Sequence, residues 1–204
     1  MWTRFFPCVV KLRELLEEKI LGKVKSFRAD FCERMNLVPE GRFLNPNLGG
    51  GALLDIGIYP ISFASMVYKK QPSIIKSSAY IGKTGVDKYS SYLFEYENGE
   101  TAILSSSGIY KAPNTAYIYG THGYIEIPNF FHPSKMILKL ERDSPKRIKA
   151  LYKSNGYNYE AIEVMNCINN GKLESEVMPL DETLEIMKTM DTLRSQWGLK
   201  YPNE

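Results

Sequence analysis

At 204 residues, 44% hydrophobic and 24% charged, the chain has room for one substantial core and the make-up of a soluble globular protein. Its 26 basic and 23 acidic residues leave a formal charge of +3 with no run of five or six like charges, which argues against nucleic-acid binding. Cys8, Cys32 and Cys167 are odd in number, far apart and free of CxxC or Cys/His spacing. They read as reduced, cytoplasmic thiols, and His122 and His132 find no third ligand for a metal.

In chain order, MWTRFFPCVV lacks the basic start and apolar centre of a signal peptide and looks like the middle of a protein. Pro7 then opens an amphipathic helix with Val9, Leu12, Leu15, Leu16 and Ile20 on one stripe and Gly22 at its stop. Phe27, Ala29 and Phe31 alternate with Arg28 and Asp30, the period-two pattern of a half-buried strand. Residues 34–48, with Pro39, Gly41, Asn45, Pro46 and Asn47, form a loop. The segment 52–69 is apolar and of helix length, with Pro60 kinking it or marking its first turn, and no apolar run approaches the roughly 18–20 residues of a membrane span.

From residue 73 to about 150 the pattern turns to short strands at 74–81, 88–96, 101–107, 115–119, 124–127 and 135–141. Asn98–Gly99 and Thr121–His122–Gly123 are the turns of two antiparallel hairpins. The basic residues between Lys135 and Lys149, broken by Glu141 and Asp143, make a solvated face. Helices over 159–170 and 181–197 end at Gly171 and Gly198. This order predicts one α+β domain whose open, largely antiparallel sheet is covered by helices on one face. No GxGxxG is present, and no βαβ unit surrounds the glycines.

The segment GGGALLDIGIYP, residues 49–60, carries the chemistry. In a helix over 52–59, Asp55 and Tyr59 share one face at i, i+4, a spacing suited to proton transfer at a carbinol or carbonyl oxygen. Gly49, Gly50 and Gly51 allow close backbone approach where free N–H groups point outward. The alternative is a buried helix entered through a flexible turn.

MWTRFFP, GGGALLDIGIYPISFASMVY, KTGVDKYSSYLFEYENG, IYGTHGYIEIP, NYEAIEVMNCI and WGLKYP, in that order, resemble the C-terminal region of the Gfo/Idh/MocA oxidoreductases, nearest the branch of NADP-dependent dihydrodiol and D-xylose dehydrogenases. The resemblance spans essentially the whole chain. It implies a substrate-binding and oligomerisation domain over residues 1–204, with NADP or NAD bound by an N-terminal Rossmann domain that these residues do not contain. By resemblance Tyr59, where most of the family carries histidine, is the proton donor and acceptor, and Asp55 orients substrate or the tyrosine. Trp2, Arg4 and Phe31 fall where this branch lines its pocket for a sugar or diol ring, against the alternative of plain packing. The family's Glu-Lys-Pro lysine, whose charge would favour the phenolate, would precede Met1, so Tyr59 is expected to be a poor base by itself.

The expected function is therefore the substrate-binding part of an NAD(P)-dependent oxidoreductase acting on a carbinol of a sugar or cyclic diol, inactive alone. The expected partners are a second copy, paired through the sheet face, and a Rossmann domain supplied in trans, with no nucleic acid and no membrane. The alternative is a non-catalytic binding or dimerisation module. On the 181–197 helix, Leu184, Ile186, Met187, Met190, Leu193 and Trp197 exceed what a lone surface helix needs, so part of that surface is expected to face a missing domain or else pack on the sheet.

Overall fold

Alternating apolar residues build the centre of the molecule. A computed structural model describes residues 1–202 and Glu204. Its strands are β1 (Val24–Cys32), β2 (Ile74–Ile81), β3 (Asp87–Glu95), β4 (Thr101–Ser107), β5 (Ala116–Gly120), β6 (Gly123–Ile127), β7 (Lys135–Leu140) and β8 (Lys146–Lys149). They form one sheet in the order β2-β3-β4-β1-β5-β6-β7-β8. All neighbouring strands are antiparallel except β1 and β4, which run parallel with Arg28 opposite Ile103. The sheet is thus open and largely antiparallel, as the turn pattern predicts. Asn98–Gly99 and the 121–123 turn close the β3–β4 and β5–β6 hairpins.

The helices are α1 (Pro7–Glu17), α2 (Ile58–Tyr68), α3 (Asn158–Asn169) and α4 (Leu180–Trp197). Phe27, Ala29 and Phe31 of β1, Tyr92 and Phe94 of β3, and Leu104 of β4 are buried on the face that receives α2, where Phe27 stacks on Phe63 with centroids 5.5 Å apart. α4 crosses the β2 edge, its Trp197 Nε1 donating to Ser77 Oγ at 2.8 Å. Of its apolar residues Ile186, Met190 and Leu193 are buried in the core, whereas Leu184 and Met187 stay exposed. The opposite sheet face carries Arg28, Ile103, Tyr117 and Glu126 in register and has no helix over it among the described residues.

Four details depart from expectation. α1 stops at Glu17, not near Gly22, because Lys19 turns left-handed (φ 55°) and the Ile20 and Lys19 N–H groups close back on the Leu15 and Leu16 carbonyls in a Schellman end. Pro60 marks the first turn of α2 as its third residue, but the run before it is not α-helical. The preceding residues Leu53–Gly57 form a π turn continuous with α2, which loosens the backbone just where the proline ring would press on the carbonyl four residues back. β8 was hidden by its polarity, KRIK, which suits the outer edge of a sheet. Finally, the helical run Pro46–Tyr68, 23 residues, is long and apolar enough to cross a membrane by length and composition, but 72% of its apolar window is buried within the fold, the setting of a core helix.

Candidate active site

Both predicted reacting residues stand on the helical run that follows the glycine bend, and Tyr59 meets the C-terminal end of β1 and the N-terminal turn. Asp55 lies in the π turn and Tyr59 in the first turn of α2. Trp2, in the 3-10 turn Trp2–Phe5, donates its Nε1–H to Tyr59 Oη at 3.1 Å. Phe31, next to last in β1, sets its ring edge-on to Tyr59 with centroids 5.1 Å apart. The corner is completed by Phe131, stacked on Phe31 at 4.2 Å, and by Tyr157, stacked on Trp2 at 4.4 Å. Sequence reading missed these last two. Phe131 sits in the irregular stretch after β6, and Tyr157 immediately precedes α3, so neither carries a periodic signal.

Tyr59 is half-buried, and burial is the main reason its pKa is pushed up. The Trp2 hydrogen bond pulls the other way, while Tyr157, Asp55 and Glu160 add to the rise. Its oxygen accepts from Trp2, and among the described residues nothing accepts its own proton. The phenol is therefore protonated, and its O–H is unpaired among the described residues. This agrees with the expectation of a poor base in the isolated chain.

Asp55 and Tyr59 do not hydrogen-bond to each other. Asp55 Oδ1 takes a 2.8 Å bond from Arg42 Nη1 instead, and the Arg42 side chain is 69% exposed. Such an exposed pair is worth little to stability. It leaves the carboxylate beside the phenol with a mobile counter-charge.

Arg4 takes a different place from the other predicted pocket residues. Its guanidinium is buried and makes a bidentate pair with Glu182 (2.8 and 2.6 Å), and it also donates to the Ser62 and Val177 carbonyls. Burial alone would push the Glu182 carboxyl up, but hydrogen bonds from Arg4 and Ser65, with the Arg4 charge, hold it below the usual range. Arg4 so ties the N-terminal turn to α2 and α4. It lines a charged cleft of about 620 Å³ with Arg13, Lys69 and Glu185 that holds none of Asp55, Tyr59, Trp2 or Phe31.

The sequence profile described as the GFO/IDH/MocA C-terminal domain matches residues 9–126. The chain belongs to this family of oxidoreductases and carries its C-terminal domain. It is 38% identical over 208 residues to trans-1,2-dihydrobenzene-1,2-diol dehydrogenase of Xenopus laevis, covering 98% of this chain and 62% of that protein. The enzyme of the same name from Homo sapiens is 33% identical over 211 residues, covering 100% and 63%. The chain thus spans a little over three-fifths of the length of these relatives. Among solved structures, aldose-aldose oxidoreductase from Caulobacter crescentus complexed with glycerol superposes with a TM-score of 0.80 at 20% identity, over 97% of this chain and 59% of that one. A 3-ketoreductase from Actinomadura kijaniata, solved with NADP and TDP-benzene, gives 0.78 at 20% identity over 95% and 60%. At that identity the two structures establish the shared fold.

The residues present do not fit the diphosphate of a nicotinamide cofactor. The one helix that follows a glycine cluster already has an anion on its first turn, since Leu53 N–H donates to the Asp87 carboxylate at 2.9 Å. A phosphate placed there would meet a like charge instead of free N–H groups.

Proposed function

We propose that this chain is the substrate-binding part of an NAD(P)-dependent oxidoreductase acting on a carbinol group of a sugar or cyclic diol, and that it is inactive alone. The observation that carries this reading is the Trp2–Tyr59 hydrogen bond at 3.1 Å inside the corner of Phe31 and Phe131. A phenol held by an N–H donor can give its proton to a carbonyl oxygen as the carbon is reduced, and in the reverse direction its deprotonated form takes the carbinol proton as the carbon is oxidised. The flat apolar faces beside it suit the C–H surface of a ring. Trp2 and Phe31 hold the ring, Tyr59 moves the proton at Oη, and Asp55 orients the substrate or the tyrosine.

Family membership supplies NADP or NAD as the redox partner, which would accept or give the hydride from a Rossmann domain outside these 204 residues, in the same polypeptide or in trans. The chain's own share of the chemistry is the proton. Homodimerisation through the uncovered sheet face belongs to the same proposal. Its support is the row of Tyr117, Tyr119 and Tyr124 with Ile103, and the Arg28 guanidinium 5.7 Å from the Tyr119 ring. Cys8 and Cys32, buried free thiols, suit a reducing, cytoplasmic setting.

The test mixes the chain with a separately expressed Rossmann domain of a family member and follows NADPH formation from D-xylose and from a cyclic trans-diol. Tyr59→Phe is expected to lower turnover by about 100-fold or more. Undiminished turnover would take Tyr59 out of the mechanism, and NADP binding by the chain alone would overturn the assignment of the cofactor to another domain.

A further inference from the structure

Asp87, the first residue of β3, is fully buried, and among the described residues no cation pairs with it. Its Oδ2 accepts from Leu53 N–H at 2.9 Å and from Ser90 Oγ at 3.1 Å, and its Oδ1 has no partner. Ser90 continues into a closed set of hydroxyls, with Tyr92 Oη 2.7 Å from Ser90 Oγ and 2.6 Å from Ser106 Oγ. An ionisable group in such a place costs stability unless something specific is gained. What it touches is the π turn. No side chain of the helix itself caps that turn, so a carboxylate 34 residues away does so.

The two glycines flanking the π turn mark where the network presses on it. At Gly51 (φ 113°) any Cβ would strike Asp87 Oδ1, and at Gly57 it would stand 2.7 Å from Tyr92 Oη and 3.0 Å from Ser106 Oγ. Both positions therefore have to be glycine for the polar cluster to reach the backbone. Between them lies Asp55, and two residues beyond lies Tyr59.

We infer that Asp87 is a positioning residue for Asp55 and Tyr59: with the Ser90, Tyr92 and Ser106 hydroxyls it clamps the π turn and so sets where both side chains stand in the aromatic corner. This rests on the reading of those two residues as the reacting pair. The clamp acts through Leu53, and a change in its charge is transmitted along one continuous helical run to the Trp2–Tyr59 hydrogen bond.

The charge does change in an accessible range, because burial pushes the Asp87 carboxyl up to about 6 despite the hydrogen bonds from Leu53 and Ser90. The titratable groups around it are few. Tyr92 and Tyr201 are both pushed up by burial and stay neutral, and behind Tyr201 Arg194 and Glu204 pair with each other at 2.6 Å. Lys88 lies along Gly82. Near the reporter, His132 packs on Phe131 at 4.0 Å and is replaced in the measurement, while the Met1 α-amino group beside Trp2, lowered from its ordinary value mainly by burial, adds a step that Asp87→Asn leaves in place.

The experiment records ¹H–¹⁵N spectra of the 204-residue chain carrying His132→Gln from pH 4.5 to 8, following the Trp2 indole, assigned with Trp2→Phe, and the Leu53, Asp55 and Tyr59 amides. All four signals are expected to move together with a midpoint near 6. In Asp87→Asn that midpoint disappears, and in Ser90→Ala, which removes one donor to the carboxylate, it moves upward for all four. A Leu53 amide that titrates while Asp55, Tyr59 and Trp2 stay still would reduce Asp87 to a helix cap and overturn the inference, as would an unchanged midpoint in Asp87→Asn. Should Asp87→Asn fail to fold, the parent titration and Ser90→Ala still decide. No cofactor or turnover enters this readout, so a mechanism that dispenses with Tyr59 would show separately, as unaltered turnover of Tyr59→Phe in the reconstituted enzyme.

Discussion

Two helices of nearly equal length, α2 with 11 residues and α3 with 12, meet opposite fates in this fold. Every residue from Pro60 to Met66 in α2 is buried, including Ser62 and Ser65, whereas no residue of α3 is. Apolar content does not separate them, since α3 offers Ile162, Val164, Met165 and Ile168. Position does. α2 is enclosed by β1 and β4 on one side and α4 on another, whereas α3 leans mainly on the N-terminal turn. The apolar residues of α3 therefore stay uncovered among the described residues.

The largest expected effect is at the enclosed helix. Phe63→Ala removes a ring stacked on Phe27 and edge-on to Phe130 (5.6 Å), and should cost roughly 3–5 kcal/mol in urea unfolding of the chain. A loss below about 1 kcal/mol would mean that α2 is not the core helix described. Next comes the buried ion pair. Glu182→Ala strands the Arg4 guanidinium and should cost about 3 kcal/mol, while Arg4→Met combined with Glu182→Leu should recover much of it. Losses that simply add would show that the pair is solvated and does not lock α4 to the N-terminal turn.

Asp87 gives a smaller and pH-dependent effect. Its carboxyl is raised from 3.8 to about 6 in the fold, so the folded state holds the proton more tightly than the unfolded one. The associated stability is present below pH 4 and is lost as pH rises through 6, up to about 3 kcal/mol for a shift of that size. Asp87→Asn should therefore gain on the parent chain between pH 4 and 7, read as the difference in urea midpoints. Parallel curves for the two would place the carboxylate in contact with water. A variant that is more stable yet misplaces Tyr59 would be the usual exchange of stability for function.

Much of this molecule was legible because burial on one face leaves a period. Phe27, Ala29 and Phe31 announce β1, the turns at Asn98–Gly99 and His122–Gly123 announce their hairpins, and Gly198 ends α4 in the left-handed conformation expected of it. Trp2, Phe31 and Tyr59 are brought together by the fold. What escaped lacks a local signature. The π turn depends on a carboxylate 34 residues away, and the Arg42 that takes Asp55 sits in a loop. Arg4 reads the same whether it faces a ligand or a buried glutamate, and only Glu182, 178 residues on, decides.

The smallest effect on stability should come from α3, and it is the most informative about what the chain does. Ile168 is 70% exposed and Val164 57%, so changing both to Ser removes little buried area and should alter urea stability by no more than about 0.5 kcal/mol. If the stripe is where a Rossmann domain docks, the same change should abolish or weaken its binding at least tenfold, measured by calorimetry against a separately expressed family domain. Ile103→Ser on the open sheet face, also exposed, should leave that binding unchanged and act on self-association instead. The two substitutions therefore assign the two uncovered surfaces independently. A sedimentation shift on altering α3, with domain binding intact, would give the stripe to a second copy of this chain and return the sheet face to solvent.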